Sequence, residues 1–316
     1  MIRELLPLRG VVTVLNTPFT PEDTVDLGSL RRNVDRALRA GVAGFLVPAM
    51  AGEVGKLSAA ERLEMVGAVL DQCAGRVPVI GGASAPTDSE RRELARRLIA
   101  LGCPGVLVNI PFEDEEQYRR QVEAVAALGP GFLMLQDWDS QGFGVPVELV
   151  ARLFRDIPCF RALKVEVAPA GVKYTRVLEA TEGRLHVSGG WAVMQLIEAL
   201  DRGVHAFMPT GMHELYVRIY RLYTEDRRAD AESLFERLLP VLAFSNQHLD
   251  ISIHFFKRLL HAEGVYATDR VRQPILPFDT VHCRRADELI RRVRSLSEEL
   301  AAAGSHDIGE DGPPAT

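Results

Sequence analysis

Apolar runs of five to eight residues alternate along the chain with longer stretches whose apolar positions recur every three or four residues. The short runs are VVTVLN (11–16), GFLVP (44–48), VPVIGG (77–82), GVLVNI (105–110), FLMLQD (132–137), FRALKVEV (160–167), RLHVSGG (184–190) and HAFMPTG (205–211). Their length and β-branched content predict strands buried on both faces. The longer stretches open on helix-start signals, most clearly Ser58-Ala-Ala-Glu61 and Thr87-Asp-Ser-Glu90. In each, a hydroxyl and a carboxylate three residues apart can satisfy one another's backbone N–H groups.

Strand then helix, eight times over, predicts a (β/α)8 TIM barrel across residues 1–225. A doubly wound open sheet shares the alternation, but its Gly-rich turn, G-x-G-x-x-G, is absent. Residues 226–302 keep the helical period without further strands and predict a C-terminal helical extension, packed on the barrel's flank or at a subunit contact. The tail, 303–316, has no apolar period and is expected to be disordered.

Composition narrows the function. With 316 residues, 47% hydrophobic and 25% charged, the chain has the balance of a globular protein with a large core. A net charge of −6 offers no basic face for nucleic acid, and the arginines of ERRELARRLIA and DELIRRVRS alternate with carboxylates as solvated helix faces do. Cys73, Cys103, Cys159 and Cys283 form no C-x-x-C pair, so neither a zinc site nor a disulfide framework is expected. No apolar run approaches a membrane span and the N-terminus lacks a signal pattern, which together point to the cytoplasm.

One residue breaks the pattern. In FRALKVEV a lysine occupies the middle of a buried strand. Alternation puts Leu163, Val165 and Val167 toward the helices and Ala162, Lys164 and Glu166 into the barrel, with Glu166 nearer the C-terminal mouth where barrel active sites lie. An interior Lys164–Glu166 ion pair is one reading, although such pairs add little net stability. The other is an amine nucleophile that forms a Schiff base with a carbonyl substrate. At its ordinary pKa near 10.4 a lysine is neutral in only about one molecule in a few thousand at pH 7, so attack requires burial to lower it. An ionised Glu166 beside it would oppose that, so the carboxyl is expected to turn toward the mouth, be protonated, or bond elsewhere.

Several short motifs carry a resemblance: N-T-P-F at 16–19, A-M-A-G-E at 49–53, G-G-A-S at 81–84, L-K-V-E at 163–166 and S-G-G at 188–190. In their order and spacing, from about residue 9 to residue 300, they resemble the dihydrodipicolinate synthase and N-acetylneuraminate lyase family of Schiff-base aldolases and dehydratases. The resemblance implies a barrel with C-terminal helices, Lys164 as the imine lysine, no cofactor or metal, and a homo-oligomer, a tetramer or dimer of dimers.

Departures from the family pattern refine this. The usual G-T-T-G-E is Ala49-Met50-Ala51-Gly52-Glu53, so two hydroxyls are missing and the amides of Ala51 and Gly52 are left to bind a keto-acid carboxylate. Gln136 takes the place of the family's proton-transferring tyrosine and cannot act as acid or base, though it can bond a substrate hydroxyl. No arginine follows it in Asp139-Ser140-Gln141-Gly142, which argues against the lysine-pathway synthase reaction. Leu135-Gln136-Asp137, Lys164-x-Glu166 and S-N-Q-H-L at 245–249 are similar to a subgroup of dehydratases for 2-keto-3-deoxy sugar acids such as L-2-keto-3-deoxyarabonate.

The expected reaction is therefore elimination from a 2-keto-3-deoxy sugar acid held on Lys164, with Glu166 as general acid and base. The alternatives are a pyruvate-dependent aldolase or hydratase-aldolase, or a non-catalytic barrel that binds a keto acid. Ser188, Gly189 and Gly190, at the end of the seventh strand, are expected to hold substrate carboxylates or hydroxyls, with Trp191 as a wall. Asp137 is a further candidate for proton transfer, but at a strand end it reads first as a helix or loop cap. The histidines, including His186, His205, His213 and His248, lack metal-ligand spacing and read as scaffold or surface groups.

Overall fold

The computed structural model describes residues 4–306. Eight parallel strands, β1 (Gly10–Val14), β2 (Gly44–Val47), β3 (Val79–Gly82), β4 (Gly105–Asn109), β5 (Phe132–Asp139), β6 (Phe160–Val167), β7 (His186–Gly189) and β8 (Ala206–Phe207), close into a barrel in chain order. Between and after them lie α1 (Leu27–Ala40), α2 (Ala59–Cys73), α3 (Asp88–Ala100), α4 (Glu115–Ala126), α5 (Val147–Asp156), α6 (Ala170–Ala180), α7 (Leu196–Asp201) and α8 (His213–Thr224). Three further helices follow: α9 (Arg228–Ser245), α10 (Leu249–Ala262) and α11 (Thr280–His306). Thus α11 runs four residues past the expected start of the tail, whose remainder lies outside the described residues.

Both expected capping boxes form: Ser58 and Glu61 open α2, and Thr87 and Glu90 open α3, each pair satisfying the other's backbone amide. Alternation sorts the strand residues into two cores. Val12, Val14, Leu46, Ile80, Leu107, Met134, Ala162 and Met208 fill the barrel, whereas Val11, Phe45, Val106, Leu135, Leu163, Val165 and Val167 pack against the helices. The face assignment of β6 read from FRALKVEV is thus the one observed. Strands β5 and β6 are the longest, and their register places Gln136 beside Lys164 and Trp138 beside Glu166. On the other side of β6, Lys164 lies beside Ser188.

Among the described residues, no helix is long and apolar enough to cross a membrane. None of the four cysteines forms a disulfide among the described residues.

Candidate active site

Lys164 stands one layer above the apolar barrel floor and is only 4% exposed. Its Nζ forms an ion pair with Glu166 Oε1 at 3.0 Å. The other oxygen of Glu166 accepts from Gln136 Nε2, whose amide also lies 3.6 Å from Met50 Sδ. Of the arrangements expected of Glu166, the bond elsewhere is present, to Gln136, and the carboxylate also meets the lysine as in the ion-pair reading: two residues apart on one strand face, the side chains meet above the pleat.

A cavity of about 430 Å³ opens above this pair. Of the expected site residues, Lys164, Glu166, Ala51 and Gly190 line it. Gln136, Gly52, Ser188 and Gly189 are not part of its wall. Gln136 reaches the site through Glu166. The Ser188 hydroxyl points along the sheet, donating to Leu163 O at 3.4 Å, and Gly189 is held in the ladder, its carbonyl accepting from Met208 N. Trp191 begins a short helical turn, and its side chain lies outside the described structure.

Residues 50–52 form a turn of 3-10 helix in which the Gly52 amide donates to Ala49 O at 2.8 Å. That commits one of the two amides expected to hold a carboxylate, and the candidate that remains is the amide of Ala51, on the cavity wall. The turn is fixed from below. Asn16 Nδ2 donates to Ala51 O at 2.7 Å, and Thr17 Oγ1 donates to Gly52 O. Tyr266 OH donates in turn to Asn16 O at 3.0 Å and receives from Asn33, whose side-chain oxygen meets His213 Nε2. This chain couples the loop after the first strand, the first and eighth helices and the extension to the backbone of Ala51. Nothing in local sequence spacing marks it, since its links span 35, 180, 233 and 250 residues.

Glu53, at the end of the same turn, is wholly buried and adopts a left-handed backbone, φ 57°. Its carboxylate pairs with Lys56 at 3.0 Å and with Lys257 of α10, and accepts from the Arg272 amide. Burial lowers Lys257 to about 8 even though Glu53 pulls it upward. The glutamate was visible in A-M-A-G-E; its partner on α10 was not.

Asp137 faces away from the cavity. It accepts from Val145 N at 2.9 Å and pairs with the fully buried Lys173 of α6 at 2.9 Å, in keeping with a loop-capping role. Of the histidines, His186 and His205 stack below the site with ring centroids 5.3 Å apart. His248 is a surface group that caps α10, Nδ1 accepting from Asp250 N at 3.1 Å, and it also lines the cavity. Among the described residues, no group of three or more His, Cys, Asp or Glu is placed to hold a metal ion.

The far wall of the cavity comes from α8 and from the α9–α10 corner, where Tyr216, Asn246, His248 and Asp250 line it. The S-N-Q-H-L segment singled out in the sequence is this corner.

Comparison with known proteins places these residues in context. Residues 7–292 match the model of the dihydrodipicolinate synthetase family. An L-2-keto-3-deoxyarabonate dehydratase from Azospirillum brasilense is 27% identical over 305 residues, covering 90% of this chain and 96% of that protein. A 4-hydroxy-tetrahydrodipicolinate synthase from Thermus thermophilus is 35% identical over 161 residues, 49% of this chain and 54% of that one. Among solved structures, a dihydrodipicolinate synthase from Rhodopseudomonas palustris superposes with a TM-score of 0.83 at 24% identity, covering 92% of this chain and all of that one. Since the family match runs through all eight strands and into the last helix, the chain belongs to the dihydrodipicolinate synthetase family.

Proposed function

We propose that the protein is a Schiff-base lyase for a 2-keto acid, specifically a dehydratase of a 2-keto-3-deoxy sugar acid bound as an imine on Lys164. One observation carries this reading: the cavity wall presents a buried lysine with a single carboxylate, Glu166, 3.0 Å from its Nζ.

In this mechanism Lys164, in its neutral form, adds through Nζ to the C2 carbonyl, and the carbonyl oxygen leaves as water with protons passed by Glu166. The iminium withdraws electrons from C3. Glu166 takes a C3 proton, the C4–O bond breaks, and the hydroxyl leaves as water on receiving that proton. Hydrolysis of the unsaturated imine restores Lys164. Gln136 orients the carboxylate but supplies no proton, because an amide is neither an acid nor a base in this range.

The same glutamine favours elimination over carbon–carbon cleavage. Retro-aldol chemistry needs a base on the C4 hydroxyl, and Gln136 stands where the family's tyrosine is expected. The likeness to the Azospirillum dehydratase along nearly its whole length supports the same choice.

The test is intact-mass analysis after borohydride reduction with pyruvate and with 2-keto-3-deoxy sugar acids, on wild type and Lys164→Ala. A reduced adduct on wild type alone is expected. No adduct in folded wild type overturns the imine reading, and release of pyruvate plus an aldehyde from a sugar acid replaces the dehydratase with an aldolase.

A further inference from the structure

We infer that the wall contributed by α8 and the α9–α10 corner is a subsite for the neutral, hydroxyl-bearing end of the substrate, and that it selects against keto acids with a second carboxylate. The inference deepens the imine reading of Lys164 and supplies its chain-end specificity.

Two polar groups on this wall lack partners. Tyr216 is wholly buried, and its hydroxyl has no hydrogen bond within the protein. The Asn246 side-chain nitrogen is likewise buried and unpaired. Both residues line the cavity. Unsatisfied buried donors are costly, and natural sites keep them where a ligand completes the bonding. A phenol offers one donor and an acceptor, and an amide nitrogen offers two donors, which suits the mixed donor and acceptor character of sugar hydroxyls.

The charges of the wall decide what kind of group fits. Among the described lining residues Lys164 is the only lysine or arginine, and the imine consumes it. Asp250 lies on the same wall, in the first turn of α10. Its carboxylate repels an anion there, and its backbone amide is already taken by His248 Nδ1. A keto acid's own carboxylate has the Ala51 amide at the opposite end, while a second carboxylate finds no cation. The volume of about 430 Å³ lies within the range of pockets for small ligands.

The test separates this subsite from the imine chemistry. Ligand-observed NMR titration, which reads millimolar affinities, would be run on Lys164→Ala protein so that no turnover intervenes. The probes are a five-carbon 2-keto-3-deoxy aldonic acid, pyruvate, and a six-carbon 2-keto-3-deoxy aldaric acid. Adding Tyr216→Phe or Asn246→Ala is expected to weaken aldonic acid binding about tenfold and to leave pyruvate, which is too short to reach the wall, unchanged. The aldaric acid is expected to bind more weakly than the aldonic acid, and Asp250→Asn to narrow the gap. Unchanged aldonic acid binding in both variants, equal binding of the aldaric acid, or no binding of any probe overturns the subsite. Borohydride trapping on wild type and on Tyr216→Phe judges the imine separately: loss of the wild-type adduct alone would sink the lysine's role while the NMR comparison still decides the wall.

Discussion

Gly190 and Lys164 approach so closely that a Cβ on the glycine would stand 2.7 Å from Lys164 Cε and 2.6 Å from Glu166 Cδ. The glycine's own backbone, φ −86° and ψ −59°, is one any residue adopts. It is therefore required for space and not for conformation. Gly190→Ala is expected to displace the ion pair and slow pyruvate trapping by borohydride about 100-fold, with the melting temperature changed by only a few degrees. Trapping at the wild-type rate would show that the pair tolerates being moved.

In the proposed mechanism Glu166 and Lys164 divide the chemistry, and a single substitution separates them. Glu166→Gln keeps the shape and the contact with Gln136 but removes the exchangeable proton. Steady-state turnover is expected to fall about 10²- to 10⁴-fold while a reduced adduct with pyruvate still accumulates. Turnover within a factor of two of wild type would make the carboxylate a passive partner.

The Asp137–Lys173 pair is buried outside the barrel wall, and neither residue lines the cavity. Removing one member leaves the other charged and alone, so Lys173→Met is expected to cost about 3–5 kcal/mol in urea unfolding. Combining it with Asp137→Leu should cost less than the two single changes together. An additive double variant would mean that the partners do not interact.

Three buried histidines set an acid limit. Burial lowers His186 to about 3, and burial likewise lowers His205 and His213 to about 4. His205 also uses Nδ1 to accept from Val187 N, a bond that protonation destroys. In the unfolded chain each returns to about 6.5. Between pH 6.5 and 4 the unfolded state thus binds more protons, and stability falls as pH falls through that window. The slope of unfolding free energy against pH should approach three protons near pH 5, and His213→Gln should remove about one of them. A flat profile over that range would contradict the buried neutral assignment.

How far the sequence could be read depended on whether the signal was local. Strand alternation put Lys164 and Glu166 on the inner face of β6 because side chains alternate at every residue, whatever the rest of the chain does. The capping boxes at Ser58 and Thr87 were legible for the same reason, each lying within four residues. The contact between Lys164 and Glu166 depends on a partner that charge alone does not reveal: Gln136, on the adjacent strand, holds the second oxygen. Ser188 and Gly189 sit at the strand end that the sequence indicates, and of the S-G-G run it is Gly190 that lies on the cavity wall. Asn16 and Asn246 stood in the N-T-P-F and S-N-Q-H-L motifs, but Tyr216 and the links from Asn16 to His213 had no local sequence signal, since they meet only after the barrel closes and the extension folds over its mouth.

The carboxylate of Glu53, clasped between Lys56 at its own turn and Lys257 on α10, means that the barrel and the helices after it are not separable modules. A chain cut after the eighth repeat would strip this buried anion of Lys257 and of the Arg272 amide, leaving Lys56 alone to balance it beside the mouth of the very pocket that the shortened protein was meant to keep. Grafting another relative's extension onto this barrel carries the same hazard unless the lysine travels with it. What looks in the sequence like an appendage is, in the folded molecule, the keystone of the active-site rim.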